Sequence, residues 1–162
     1  VTLKAQMEQC IYTKNGCDKL EFLISANLGE EAKPLSKIAS GGELSRIMLA
    51  IKSVMAEKDN VETLIFDEID TGISGRTAEK VGKQLKSLAK THQVVCVTHL
   101  AQIAAAADNH LLIEKQFLDD KTYTTVKHLS GDERVNEIAR IISGSKLTDN
   151  VYNTARELIS NS

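Results

Sequence analysis

The chain has 162 residues, a length that suits one domain. Lysine and arginine together number 20 and aspartate and glutamate 22, so the formal net charge of -2 gives no general attraction to nucleic acid or to an anionic membrane. No apolar run is long enough to span a bilayer, and no basic-then-apolar secretion signal opens the chain. We therefore expect no membrane partner, and any DNA contact must come from a local patch or from parts outside this chain.

The cysteines and the first residue indicate the cellular compartment and the extent of the chain. Cys10, Cys17 and Cys96 form no C-x-x-C pair, which favours a reduced, cytoplasmic protein over a disulfide framework. Cys96 lies in an apolar run and is expected to pack as a small hydrophobic residue. The chain begins with Val1 rather than Met, so we expect either a fragment or a deliberately shortened form of a longer protein.

The first predicted elements form an antiparallel hairpin. Residues 3–11 partly alternate between apolar and polar, Asn15-Gly16 is a typical hairpin turn, and residues 20–26 are predicted to be the returning strand. Residues 27–37 contain the only proline and are predicted to be a loop.

Helices and strands then alternate, which predicts a parallel sheet. A helix opens at Gly41-Gly42 and runs to about residue 57. Residues 63–66 and 93–98 are apolar runs typical of buried parallel strands. The apolar positions of the first helix recur at three- and four-residue steps: Leu44, Ile47, Met48, Ile51, Val54 and Met55.

The helix between those two strands is predicted to start at a Ser74 cap and to reach residue 90. Four of its residues are expected to face inward: Ala78, Val81, Leu85 and Leu88. Its lysines Lys80, Lys83, Lys86 and Lys90 could meet a DNA backbone, but a solvated helix surface is the better interpretation.

The remaining elements complete the predicted fold. A short helix covers residues 101–107, and strands at 110–114 and 123–129 flank a hairpin turn at Asp119-Asp120-Lys121. Two closing helices cover residues 132–142 and 148–159. The prediction is an α/β fold, a mostly parallel sheet with flanking helices and an N-terminal antiparallel hairpin.

A candidate anion site lies at Ser40-Gly41-Gly42-Glu43, directly before the first helix. Free N–H groups and the positive end of the helix dipole favour a phosphate there, and glycine lets the backbone approach it closely. The alternative is a glycine turn that merely starts a helix, since short glycine patterns recur by chance.

Acidic side chains follow the first predicted parallel strand. Ligands of open α/β sheets bind beyond the carboxyl ends of the strands. Asp67 there could hold Mg²⁺ through water, and Glu68 could orient and deprotonate an attacking water. The alternative is a pair of solvated acids at a strand end.

His99 ends the second predicted strand, at the edge where we expect Glu68. An imidazole there could hydrogen-bond a γ-phosphate, although a lone histidine is more often structural. Cys96 and His99 lack the second ligand pair that a zinc site needs. The turn at residues 70–75 leads into the next helix, and its local spacing reveals no role for Asp70.

The order of these motifs resembles ABC ATPases. Ser40-Gly41-Gly42-Glu43 resembles the signature motif, LIFDE at residues 64–68 resembles Walker B with its catalytic glutamate, residues 70–75 resemble the D-loop, and His99 resembles the switch histidine. Three longer strings are similar to the RecN family, in the SMC-like branch of these ATPases: PLSKIASGGELSRIMLAIK, LIFDEIDTGISGRTAEKVG and VTHLAQIAAAADNHLLIEK.

The resemblance implies the C-terminal half of an ATPase head that spans residues 1–162. An N-terminal half of the same protein would supply the Walker A loop, and a coiled coil would join the halves. Two heads would enclose ATP: Asp67 would serve Mg²⁺, while Glu68 would serve the water and His99 the γ-phosphate. The signature group (Ser40, Gly41, Gly42 and Glu43) would meet the ATP of the partner head, and Asp70 would communicate across the dimer.

The chain departs from the family pattern because it contains no G-x-x-x-x-G-K-[ST] loop and no heptad array. We therefore expect no ATP hydrolysis by this chain alone. The resemblance further implies a cytoplasmic, nucleoid-associated protein that acts on DNA in double-strand break repair. The alternatives are a non-catalytic interaction module and a transporter-type nucleotide-binding domain.

Overall fold

The computed structural model describes residues 2–25, 29, 31–38, 40–56, 58, 60–118 and 121–161. Within that part of the chain the strands form one parallel pair and two antiparallel sheets. Five α-helices accompany them in the described residues, and four of these lie after residue 66. The predicted α/β class with an N-terminal antiparallel hairpin is therefore confirmed, and its parallel part has two strands among the described residues.

The N-terminal sheet consists of β1 (Thr2–Thr13), β2 (Gly16–Ser25) and β3 (Lys33–Pro34), with β2 in the centre. The predicted hairpin is confirmed, although both strands are longer than predicted and the register shifts between Gln9 and Thr13. The predicted loop is wrong at residues 33–37, where β3 pairs with β2 and a 3-10 turn follows at Leu35–Lys37. Residues 26–28 lie outside the described residues.

The parallel pair consists of β4 (Thr63–Phe66) and β5 (Gln93–Cys96), joined through helix α2 (Gly75–Leu88). The inward residues of α2 are those predicted. Ser74 occupies the N-cap position in extended backbone but makes no side-chain capping hydrogen bond, so that part of the prediction is wrong. Helix α2 ends at Leu88, where its hydrogen-bond pattern changes to that of tight turns. The last of these bonds runs from the His92 N–H to the Leu88 carbonyl.

In the part of the chain that the structure describes, one face of the parallel pair is covered and the other is open. Leu64 and Phe66 are buried against α2, whereas Ile65 between them is 72% exposed and Val95 on the neighbouring strand 42% exposed. Strands predicted to be buried on both faces therefore present one open apolar face. An apolar run is typical of a strand that is buried on both faces. In the described chain, α2 covers one of these faces.

Helix α1 (Gly41–Met55) begins where predicted, and residue 57, its predicted end, lies outside the described residues. Leu49 is its one buried large side chain among the described residues and joins the core under β4. The periodic apolar stripe remains largely exposed, with Val54 at 89%. The apolar period therefore predicted the helix correctly. In the described residues Ile47 and Ile51 are partly buried, whereas the rest of the stripe is exposed.

A second core lies between α3 (Ala101–Ala106), α4 (Gly131–Ser143) and α5 (Asp149–Ser160). Its buried members are Ala101, Ala104, Ala105, Ile138, Ala139 and Ala155. Gly82 of α2 connects the two cores, because a Cβ there would lie 3.1 Å from the Gln102 carbonyl oxygen and 3.2 Å from the Ala106 Cβ. A glycine at this position lets α2 and α3 pack closely.

The last sheet is the hairpin of β6 (His110–Leu118) and β7 (Lys121–Leu129), in register from His110↔Leu129 to Leu118↔Lys121. Both strands exceed the predicted bounds, and residues 119–120 of the predicted turn lie outside the described residues. None of the helices in the part of the chain described above combines the length and apolarity that a bilayer crossing requires.

Candidate functional site

The predicted site residues collect at the carboxyl ends of β4 and β5. Asp67 and Glu68 follow β4, His99 follows β5, and the strands are paired to Phe66↔Cys96. The Val97 N–H continues this pairing by donating to the Phe66 carbonyl at 3.0 Å. Glu68 and His99 therefore lie on the same edge of the parallel pair.

Asp67 is held at its backbone and at one carboxylate oxygen. Its Oδ1 accepts the Glu68 N–H at 2.8 Å, and its carbonyl accepts the Ser45 hydroxyl at 2.8 Å. The side chain is exposed, and within the described part of the chain no hydrogen bond engages Oδ2. This carboxylate can therefore offer one oxygen to a hydrated cation.

Glu68 adopts a left-handed backbone conformation, with φ of 57°, which is uncommon for a residue other than glycine. Its carbonyl accepts the Thr71 N–H at 3.1 Å and closes the turn after Asp67. The side chain is exposed and lies beside Gly41, where an added Cβ would collide with the Glu68 carboxylate.

The glycine turn of α1 packs against this same loop. Gly42 is buried, and a Cβ there would lie 2.9 Å from the Glu68 carbonyl oxygen and 2.9 Å from the Thr71 Cβ. Ser40 occupies the N-cap position without a side-chain capping bond, and Glu43 is exposed in the first turn. The structure thus brings the turn and Glu68 together within one chain, whereas the resemblance assigns them to two different nucleotides.

Arg46, which the sequence analysis did not single out, holds α1 to the loop. Its guanidinium donates to the Ile69 carbonyl at 3.0 Å and to the Thr71 carbonyl at 2.8 Å. With the Ser45 bond to Asp67, three hydrogen bonds fix the first turns of the helix against residues 67–71. No periodic pattern marks such contacts, because they join a side chain to backbone more than twenty residues away.

Asp70 is buried, with 3% exposure, directly beneath His99. Its Oδ2 accepts the Thr98 hydroxyl at 2.6 Å and the His99 N–H at 2.8 Å, and it lies 3.0 Å from His99 Nδ1. Burial alone would raise the pKa of Asp70, but the Thr98 and His99 hydrogen bonds and the His99 charge outweigh it and lower that pKa.

Cys96 lies behind this cluster and is half-buried. Burial, with the negative charges of Asp70 and Asp67, raises the pKa of its thiol to about 12. No group of three or more potential metal ligands occurs among the described residues.

The lysines of α2 are mostly solvated. Lys80 and Lys90 are exposed, and Lys83 forms an exposed ion pair with Glu79 at 2.6 Å. Lys86 is half-buried. This arrangement agrees with an ordinary helix surface.

The chain is similar in sequence to curated DNA repair proteins, while no family model matches it. It is 50% identical over 147 residues to the DNA repair protein RecN of Bacillus subtilis. The aligned region covers 91% of this chain and 26% of the relative. It is also 50% identical over 155 residues to RecN of Treponema pallidum, covering 94% of this chain and 27% of the relative. The chain therefore spans about a quarter of the length of these relatives.

Solved structures show the same fold. The Smc head domain with a coiled coil and joint from Pyrococcus yayanosii matches with a TM-score of 0.58 and 19% identity, over 87% of this chain and 26% of that one. A chain from work on ATP-driven dimerization and DNA-stimulated activation of SMC ATPases matches with a TM-score of 0.52 and 20% identity, over 88% and 84%. Over nearly its whole length this chain is therefore similar in sequence to about a quarter of the length of the RecN proteins. The likeness to SMC heads, at about 20% identity, shows a shared fold.

Proposed function

We propose that this chain is the C-terminal half of a RecN-type ATPase head, and that it completes a catalytic site only with other parts. The chain spans about a quarter of its RecN relatives and contains no G-x-x-x-x-G-K-[ST] loop. The N-terminal half of the same protein supplies that Walker A loop, and a coiled coil absent from this chain connects the halves.

The observation that carries the proposal is the convergence of an acid pair and a histidine at one edge of the parallel strands. Asp67, Glu68 and His99 reach that edge from the ends of neighbouring strands. Ligands of such sheets bind beyond these ends. This supports in-line attack of water on the γ-phosphate of ATP, with largely electrostatic stabilisation of the transition state.

Each residue takes a separate part in that reaction. Glu68, whose side chain is exposed, orients the water and accepts its proton. His99, whose side chain is 75% exposed, hydrogen-bonds the γ-phosphate. Asp70 belongs to the loop that we propose to communicate with the second head.

Asp67 fits a role toward Mg²⁺. One oxygen is held by the Glu68 N–H and the exposed carboxylate has a second one to offer. Mg²⁺ keeps several waters and is commonly bound by one or two carboxylates together with substrate phosphates. When bound, the ion neutralises charge on the phosphates, and Asp67 would hold it through water.

The glycine turn serves the nucleotide of a second head. Ser40, Gly41, Gly42 and Glu43 open α1, whose N-terminus favours an anion. Because Glu68 lies beside Gly41 in the single chain, its carboxylate must turn away before a γ-phosphate can approach the turn.

The wider role follows from the family. The relatives are DNA repair proteins, and a structural neighbour comes from work on ATP-driven dimerization of SMC ATPases. We propose that ATP joins two heads, that hydrolysis releases them, and that the full-length protein binds DNA during double-strand break repair. Its place is then the bacterial cytoplasm, in association with the nucleoid.

Reconstitution tests the proposal. This chain is mixed with an N-terminal fragment that carries the P-loop, and ATP hydrolysis is measured for the wild type, for Glu68→Gln and for Glu62→Gln. Glu62 is a matched control, because it is an exposed acid at the opposite end of β4. We expect activity only in the mixture, lost in Glu68→Gln and kept in Glu62→Gln.

Two results would contradict this function. Tight binding of the two fragments without hydrolysis would favour a non-catalytic interaction module. Hydrolysis by this chain alone that disappears in Glu68→Gln would refute the division of the site between two fragments.

A further inference from the structure

One carboxylate oxygen organises the end of β5. Asp70 Oδ2 lies within hydrogen-bond distance of the Thr98 hydroxyl, the His99 backbone N–H and His99 Nδ1, at 2.6, 2.8 and 3.0 Å. Two of these partners are donors by their chemistry, since a backbone amide and this hydroxyl offer hydrogens. The third partner is a ring nitrogen, and a carboxylate 3.0 Å away, which has no proton to offer, favours the form in which Nδ1 carries the proton.

The close contact at Nδ1 sets what the other ring nitrogen can do. In a neutral imidazole one nitrogen is a donor and the other an acceptor, and the partner of one nitrogen selects the tautomer. Asp70 is 3% exposed, whereas the His99 side chain is 75% exposed. The ring therefore turns Nδ1 toward a buried anchor and leaves Nε2 for contacts outside the chain.

We infer that Asp70 is a positioning residue for His99: it fixes the Nδ1–H tautomer and aims Nε2 at the catalytic edge. This inference rests on the proposed ATPase function, which it deepens. It gives Asp70 a defined action within its own head, in addition to any communication across a dimer.

Thr98 makes the anchor rigid. Its hydroxyl donates to Asp70 and accepts the Leu100 N–H at 3.1 Å, so the carboxylate, the strand end and the start of α3 are joined. Ring orientation is thus tied to backbone on both sides of His99. An exposed histidine without such an anchor would sample several rotamers.

The inference has a chemical consequence for phosphate binding. With Nδ1–H committed to Asp70, Nε2 can donate a hydrogen bond only when the ring carries its second proton. The phosphate contact then uses an imidazolium, and the buried negative charge of Asp70 offsets its positive charge. A neutral ring in this tautomer would present a lone pair to the phosphate oxygens.

Nitrogen-15 NMR of the histidine side chains tests the tautomer without nucleotide. In the wild-type chain we expect the neutral His99 ring to be in the Nδ1–H form, and in Asp70→Ala we expect it to shift to Nε2–H. Asp108→Asn, at an exposed acid near α3, should leave the His99 signals in place. A wild-type His99 in the Nε2–H form would overturn the inference, even if Asp70→Ala does not fold.

A double-mutant cycle in the reconstituted ATPase tests the functional part. Asp70→Ala should lower kcat by up to about 100-fold with KM little changed, because a positioning residue contributes no more than the group it orients, which is worth about 10²–10⁴-fold. In a His99→Ala background the same change should cost almost nothing, because Asp70 acts through that ring. An equal loss in both backgrounds would mean a purely structural role for Asp70 and refute the inference.

The NMR measurement and the activity measurements together distinguish a failure of this inference from a failure of the proposed function. Loss of activity in Glu68→Gln together with an Nε2–H wild-type tautomer would keep the ATPase and reject the positioning role. The expected tautomer in a reconstituted mixture without ATP hydrolysis would reject the proposed function and, with it, the catalytic meaning of the Asp70–His99 pair.

Discussion

The carboxylate of Glu68 lies directly beside Gly41, at a position that the Cβ of any other residue would occupy. The backbone of Glu68 likewise lies against Gly42, with its carbonyl oxygen 2.9 Å from an added Cβ. The two glycines therefore have different neighbours: a flexible side-chain end at Gly41 and fixed backbone at Gly42. Substitution of each glycine in turn can therefore distinguish contact with a movable side chain from contact with fixed backbone.

Alanine at the two positions should have unequal effects on stability. Gly42→Ala places a Cβ against the Glu68 and Thr71 carbonyl oxygens, which cannot move freely, and we expect a loss of about 1–3 kcal/mol. Gly41→Ala meets the end of the Glu68 side chain, which can rotate away, so we expect a change within about 0.5 kcal/mol. Urea denaturation of both variants measures the difference.

The same pair contains its own control, because both substitutions lie in the first turn of α1 and change the same atoms. Equal destabilisation by the two alanines would show that helix propensity or the turn itself, and not contact with residues 68–71, sets the preference for glycine.

Arg46 should be more important for stability than its place on a half-exposed helix suggests. Arg46→Ala leaves the Ile69 and Thr71 carbonyls without a charged donor, and we expect a loss of about 1–3 kcal/mol in the free energy of unfolding. Arg76→Ala, at an exposed arginine early in α2, serves as control and should change stability by less than about 0.5 kcal/mol. Similar losses in the two variants would contradict the role given to Arg46.

Periodicity and motif order predicted the helices and the edge on which Glu68 and His99 meet. These features have local signals: a 3.6-residue apolar repeat for a helix, and acids directly after an apolar strand. The starts of α1 and α2 were accurate because a serine, Ser40 or Ser74, directly precedes a first helical residue that is glycine. The short helix α3 has no such signal, since it follows Leu100.

Contacts across long sequence separations could not be predicted in this way. The bonds of Arg46 to Ile69 and of Asp70 to Thr98 join residues 23 and 28 positions apart, and their residue types occur as often on ordinary surfaces. The exposure of Ile65 could not be predicted from the sequence for a related reason. An apolar run shows that both faces of a strand suit burial, but not whether this chain supplies both covers.

Stability in acid should depend on Asp70. Because its pKa is lower in the folded chain than its ordinary value, its contribution is fully present above that value and is lost as pH falls through the folded pKa. Asp70→Asn should therefore be less stable than wild type at neutral pH, and the gap should narrow below about pH 4, the ordinary range of Asp. Urea denaturation at a series of pH values measures it, and a gap that widens in acid would contradict the lowered pKa.

Thiol reactivity should separate the cysteines. The pKa of Cys96 is raised to about 12, so its thiolate is scarce at pH 8, and its half-buried side chain limits access as well. Cys10 is exposed on β1 and should be alkylated at least about tenfold faster. Mass spectrometry of peptides after timed iodoacetamide treatment gives both rates. Equal rates in the native chain, with denatured chain as reference, would argue against the buried setting of Cys96.

The open face of the parallel strands should bind the N-terminal half of the head. Ile65 is 72% exposed, whereas its neighbour Leu64 is 8% exposed and belongs to the core. Ile65→Ser should leave the stability of this chain within about 0.5 kcal/mol of wild type but weaken its binding to the P-loop fragment, measured by calorimetry. Leu64→Ala should instead cost about 2–5 kcal/mol of stability, because it opens a cavity under β4.

The contrast matters because this chain spans about a quarter of the length of its relatives. An open apolar face on such a chain is where another layer of the same fold would pack. Wild-type affinity in Ile65→Ser would place the contact elsewhere, and the exposed stripe of α1 around Val54 would be the next surface to test.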